Sequence, residues 1–357
     1  MRRISFLILS CALAACAAEP KKSKEMPSPL SWTSLPALPD REGFAGSFAG
    51  VSRDTLIVAG GANFPDKRPW EGGAKIWYDR VFVLEATSTA WREAGRLPKA
   101  GGYGVSITTG EGFVLIGGGD AKRNFDEVWL ARWDGKTVAF TSWPRLPKPL
   151  AMAAGAIVGQ TIFVAGGLDR PDAPQAQQSF FALDLEKLSA GWRELAPLPG
   201  PERMLATAGG QDGAFYLFSG AHLIADAQGK TSREWLRDAY RYTPAAGWKR
   251  IADLPRVSVA APSPAAVVNG KLLVLGGDDG TQISVAPTAH QGFPHDVLAY
   301  DPKSDTWTRM GEVPFSLVTT TLTTWRGQIV VPGGEATPGV RSPLVWTTEN
   351  AGVLQKK

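Results

Sequence analysis

Cysteine is almost absent. Of 357 residues only Cys11 and Cys16 carry a thiol, and both lie near the amino terminus. The rest of the chain can hold no disulfide, thiolate metal ligand or cysteine nucleophile. Histidine is nearly as scarce, with His222, His290 and His295 alone. His290 and His295 share a stretch with Gly292 and Pro294 and could take a metal, but no third His flanks them; ordinary surface imidazoles are the competing reading. The apolar run Ile4 to Leu13 is too short to span a bilayer. Charge of one sign does not dominate: the formal balance is +4, and Arg2, Arg3, Lys21, Lys22 and Lys24 precede residue 31, so the remainder is close to neutral and carries no nucleic-acid footprint. Helical patterning is missing, because 40 Gly and 27 Pro interrupt every stretch long enough to hold it.

What is present is a repeat. Apolar runs end six times in a glycine pair or its near variant: Gly60-Gly61, Gly117-Gly118, Gly166-Gly167, Ser219-Gly220, Gly276-Gly277 and Gly333-Gly334, at intervals of 49 to 57 residues. Trp32, Trp91, Trp143, Trp192, Trp248 and Trp307 recur at the same period. Each unit reads as a small-residue strand, a hairpin turn, an apolar strand rising into the glycine pair, a third strand, and a fourth strand carrying the Trp. The turns are expected at Arg53-Asp54, Glu111-Gly112, Gly159-Gln160, Asp212-Gly213, Asn269-Gly270 and Arg326-Gly327. Runs such as Thr55 to Ala59 and Lys271 to Leu275 alternate little, so both faces should be buried. A ~50-residue period with this content is the mark of a kelch-type blade. The expected fold is therefore all-β: a six-bladed kelch propeller with four-stranded blades over residues 31–350. Since Trp32 to Pro36 reads as a fourth-type strand and Leu344 to Trp346 as a third-type strand, the N-terminal strand should close the ring. The Trp side chains are expected to pack between blades.

Residues 1–15 read as a lipoprotein signal peptide. Met1-Arg2-Arg3 is a basic start, and Leu13-Ala14-Ala15-Cys16 resembles the bacterial lipobox, which implies cleavage before Cys16 and lipidation there. Residues 16–30 read as a flexible tether and 351–357 as a tail. The expected location is the cell envelope, on the periplasmic face of the outer membrane, with contact to the membrane through the lipid alone.

Chemistry is expected where the repeats break pattern, in the loops at the channel mouth. In Gly333-Gly334-Glu335-Ala336-Thr337-Pro338-Gly339-Val340-Arg341 a carboxylate follows the glycine pair, and a Pro-Gly turn can bring Arg341 back to it. A carboxylate can serve as general base and an Arg can hold an acid group; a surface ion pair is the alternative. The loop Ala62 to Asp79 holds Asn63, Lys67, Arg68, Trp70, Lys75 and Trp77, a set suited to stacking on a sugar and pairing with an acid, or to packing on itself. Arg203, in Pro201-Glu202-Arg203-Met204, either points to the channel or makes a salt bridge between blades.

These segments resemble the sialic acid mutarotase (N-acetylneuraminate epimerase) family, a group of six-bladed kelch propellers. Gly334 to Arg341 is close to that family's Gly-Glu-Ala-Lys-Pro-Gly-Leu-Arg, with Thr337 in place of Lys, and the likeness recurs at Gly43 to Gly50 and Tyr103 to Ser106. The Gly-Glu-Ala motif comes last here, so the chain resembles a cyclically permuted branch. The resemblance implies Glu335 as the catalytic base and Arg341 and Arg203 as substrate-binding residues; Tyr103 lies in one of the matching motifs, and Asn63 and Lys75 are expected to bind substrate from the composition of their loop. It implies a small acidic sugar as partner and a cofactor-free isomerase. Its rival is a non-catalytic glycan-binding or scaffold propeller. Copper-radical oxidation on this architecture is excluded by the missing Cys, and the sialidase Ser-x-Asp-x-Gly-x-x-Trp boxes are not found.

Overall fold

The computed structural model describes residues 30–349; the signal peptide, Cys16, most of the tether and the tail lie outside them. Six four-stranded antiparallel sheets make six blades. Blade 1 runs Phe48–Ser52, Thr55–Ala59, Arg80–Leu84 and Arg92–Arg96 from the axis outward. Blades 2 to 5 repeat that order. Blade 6 combines Thr323–Trp325, Gln328–Pro332 and Val345–Thr348 with Trp32–Leu35 from the beginning of the chain, in register Trp32↔Thr348 to Leu35↔Val345. The ring is thus closed by the N-terminal strand, and no blade is left with an open third strand. The described helices are short 3₁₀ turns at Pro69–Glu71, Leu185–Ala190 and Pro287–Ala289.

Second strands are buried on both faces, as their unbroken Val, Ile, Leu and Phe require. They feed six apolar clusters, each shared by two neighbouring blades; Ile57, Val83, Phe113 and Leu115, for instance, join blades 1 and 2. Outer-strand tryptophans latch the rim. Nε1 of Trp91, Trp192, Trp248 and Trp307 donates to the carbonyl of Pro36, Pro144, Ala196 and Ala252, at 2.7–3.1 Å, each in the preceding blade's outer segment. Four hairpin turns have positive φ at both central residues, Arg53-Asp54, Asp212-Gly213, Asn269-Gly270 and Arg326-Gly327. One expected turn shifts: Thr109 pairs with Gly112, so the loop is Gly110-Glu111, and Gly112 opens the next strand.

The axis is organised by a feature the repeats did not announce. Gly46, Tyr103, Met152, Leu205, Ala260 and Thr319, one residue per blade, all have φ between 53° and 67°. Each donates its backbone N–H to the carbonyl of its counterpart in the preceding blade, at 2.7–2.9 Å, and Gly46 donates to Thr319. Six hydrogen bonds therefore form a closed loop around the channel throat. A residue beside each of these bridges to the one after the glycine pair: Ala45 to Ala62, Gly102 to Gly119, Ala151 to Leu168, Met204 to Ala221, Val259 to Asp278, and Val318 to Glu335. All connections between second and third strands emerge at this end, so it is the loop-bearing face.

Candidate functional site

Glu335 occupies the blade 6 place in that tier of six, directly above the throat. It opens the ribbon Glu335–Thr337, which folds back on Val340–Arg341 so that Glu335 and Arg341 stand opposite each other. The reversal needs Gly339, whose φ is +80° and which lies under Pro69 and Trp70 of the blade 1 loop. Arg341 Nη1 sits 2.7 Å from Glu335 Oε1, and Gly339 N–H donates to the same oxygen at 2.7 Å. The Nη1 hydrogens do not line up with an acceptor, so the pairing is one of charges more than of a formed hydrogen bond. Glu335 retains 20% side-chain exposure and Arg341 only 3%. Arg341 Nε also leans on the carbonyl of Ala62 at 3.4 Å, and its guanidinium lies over Phe64, 5.2 Å from the ring centroid.

Phe64 links this pair to the long loop. Lys75 Nζ lies 5.9 Å from the same ring, 5.3 Å from Trp77 and 5.1 Å from Tyr103. The loop is fixed by the Ala62–Asn63/Ile76–Trp77 ribbon, by an ion pair of Arg68 with Glu42 at 2.7 Å, and by Glu71 accepting from the Arg68 amide. Beyond Lys75, Trp77 and Tyr103 opens a cavity of about 290 Å³ that continues past Gly119, Asp120 and Asn124 of blade 2 to Leu168 and Pro171 of blade 3. Arg341, paired with Glu335, and Lys75, beside Tyr103, thus share the Phe64 ring at the loop-bearing face.

Two expected members stand elsewhere. Arg203 does not reach the channel. Its side chain is 0% exposed, grips Asp238 through both Nη atoms at 2.7 Å, donates to the Ser219 and Pro201 carbonyls, and faces the Tyr240 ring. Burial alone would raise the Asp238 carboxyl, but Arg203 outweighs it and holds the group below its ordinary value. The arrangement is a blade feature: Arg256 with Asp296 repeats it in blade 5, Lys99 with Glu127 in blade 2, and Asp40 with Arg80 in reversed sign in blade 1. Asn63, 1% exposed, spends Nδ2 on Asp40 and the Gly43 carbonyl and Oδ1 on the Tyr78 hydroxyl, so it braces the loop from beneath. Residues the sequence reading passed over include Phe64, an aromatic directly after Asn63 in a polar loop, and Asp278, the acid that follows the blade 5 glycine pair as Glu335 follows that of blade 6. His295 and His290 each engage a backbone group through Nδ1, and the described residues hold no group of three or more His, Cys, Asp or Glu placed to bind a metal.

A family model for N-acetylneuraminate epimerase matches residues 16–140 and 143–284, and a kelch-motif model matches 260–314. An N-acetylneuraminate epimerase of Yersinia enterocolitica is 29% identical over 242 residues, covering 60% of this chain and 59% of its own. One from Haemophilus influenzae is 30% identical over 228 residues, 56% and 57% of the two chains, and one from Brucella suis is 36% identical over 109 residues, 28% of each. The chain thus spans less than two thirds of the length of these curated relatives. Among solved structures, the one described as "Structure of YjhT" superimposes with a TM-score of 0.62 at 13% identity over 88% of this chain and 99% of its own, a likeness of fold.

Proposed function

The chain belongs to the N-acetylneuraminate epimerase family, and from that premise we propose that it interconverts the α and β anomers of N-acetylneuraminate or a closely related acidic sugar. The observation that carries the reading is the placement of Glu335. Arg341 and the Gly339 amide both address Oε1, which leaves Oε2 as the oxygen that receives a proton. Glu335 takes the proton of the anomeric hydroxyl while water protonates the ring oxygen. The bond between the anomeric carbon and the ring oxygen breaks, the exposed ketone turns, and reclosure from its other face with return of the protons gives the other anomer. Electrons and protons balance within the sugar, the carboxylate and water. Acid–base groups placed in this way contribute ~10²–10⁴-fold.

Two further points belong to the proposal. The family match stops at residue 284, short of the Glu335 segment, as expected of a cyclically permuted member in which that motif has moved to the end. The lipobox-like residues before Cys16 support an exported lipoprotein held at the envelope by its lipid.

One-dimensional proton NMR of freshly dissolved α-N-acetylneuraminate tests the activity. The full chain should speed appearance of the β anomer, and Glu335→Gln should remove the acceleration while leaving sugar binding intact. An unchanged rate with wild-type protein would sink the mutarotase reading and leave the binding propeller in its place.

A further inference from the structure

Two cations stand at the mouth, and they differ in exposure and in the charge already beside them. The Arg341 guanidinium is almost fully enclosed, pressed between Phe64 and the Glu335 carboxylate, which neutralises it. Lys75 is half-buried and has no carboxylate or hydrogen-bond partner among the described residues; its contacts are the faces of Phe64, Trp77 and Tyr103. Ring faces hold an ammonium by their quadrupole without consuming its hydrogens, so Lys75 keeps three N–H donors. It lines the 290 Å³ cavity that adjoins the Glu335 tier.

We propose that Lys75, not Arg341, reads the carboxylate of the sugar, and that Arg341 serves to orient Glu335. The inference rests on the acidic-sugar reading above and refines which residue recognises the acid. The Arg341 side chain is 3% exposed and already lies 2.7 Å from the Glu335 carboxylate, so it offers a sugar almost no accessible surface. A carboxylate brought to Lys75 meets an unspent ammonium already stripped of much of its water by three rings, where an ion pair is stronger than on an open surface. Asp120 lines the same cavity. Its Oδ1 accepts from the Lys122 and Arg123 amides at 2.7 and 3.0 Å. A carboxylate in blade 2 of the cavity disfavours an acid group beside it and leaves Lys75 of blade 1 as the matching partner. The aromatic cage also explains the length of the Ala62 to Asp79 loop, which brings all the cage rings except Tyr103.

Titration calorimetry with N-acetylneuraminate and with its methyl ester tests the assignment independently of turnover. Wild-type protein should favour the free acid by about tenfold, a preference that weakens with salt. Lys75→Met should bind both sugars alike, and Lys75→Arg should restore the preference. A preference that survives in Lys75→Met, or its absence from the wild type, would overturn the proposal. Melting curves of the variants should match the wild type, since Lys75 pairs with no charged group. Turnover by NMR on the same samples judges the mutarotase reading separately: discrimination without turnover would sustain Lys75 and fail the enzyme.

Discussion

The contact between Gly339 and the blade 1 loop gives the most demanding test of how Glu335 is positioned. In Gly339→Ala the new Cβ would meet Pro69 Cγ at 2.8 Å and a Trp70 ring carbon at 3.0 Å, on a backbone held at φ +80°. The left-handed conformation alone costs Ala ~1 kcal/mol, so the turn should reopen to a less strained shape. Reopening withdraws the Gly339 amide from Glu335 Oε1. A hydrogen bond to an ionised group is worth about 1.5–3 kcal/mol. If that amide fixes the carboxylate in the reacting position, kcat for mutarotation should fall about tenfold to a hundredfold, with a smaller change in KM. The six inter-blade clusters do not include this turn, so stability should fall by only ~1 kcal/mol. NMR exchange kinetics supplies kcat and a urea melt supplies stability. An unchanged kcat in a variant whose turn has moved would refute the claim that the Gly339 amide positions the base.

Two further perturbations test the frame. Arg203→Met leaves Asp238 buried without its cation and should cost about 3–5 kcal/mol, while sugar affinity at low temperature stays that of the wild type; a specific loss of affinity in folded protein would return Arg203 to the site. Glu127 is held down to about 2. Burial pushes it up, but hydrogen bonds from Arg123, its own backbone amide and Lys99 outweigh that. Because its folded value is depressed, its contribution is fully present above about pH 4.5 and drains away as pH falls toward about 2. Urea melts across that window should lose on the order of 1 kcal/mol more in the wild type than in Glu127→Gln, and parallel curves would contradict this.

Much of the ring was legible because its determinants are local. Turn residues, glycine pairs and unbroken apolar strands each act within a few positions, and their recurrence gave blade count, strand order and the N-terminal closure. The turn at Gly110-Glu111 was displaced because a glycine beside the true loop competes for the same position. Glu335 and Arg341 were placed together correctly by one short Pro-Gly reversal. Arg203 misled because a lone arginine ahead of an inner strand looks the same whether it faces a channel, a neighbouring blade or an acid of its own blade; it takes the third course, pairing with Asp238 of blade 4, and its repeat at Arg256 was the clue. The cage around Lys75 joins Tyr103 of blade 2 to Phe64 and Trp77 of blade 1, and no spacing along the chain encodes that meeting.

The closed loop of six backbone hydrogen bonds also sets the polarity that a ligand meets at the throat. Every N–H in it is committed to the next carbonyl, whereas each carbonyl oxygen retains a second lone pair. That collar can therefore accept hydrogen bonds from hydroxyls but has no backbone donor to offer to negative charge. It cannot form an oxyanion hole, and any charge that develops above it must be met by side chains. A polyhydroxylated molecule would rest on the collar by its O–H groups and turn its acid group outward, toward the cations of the rim.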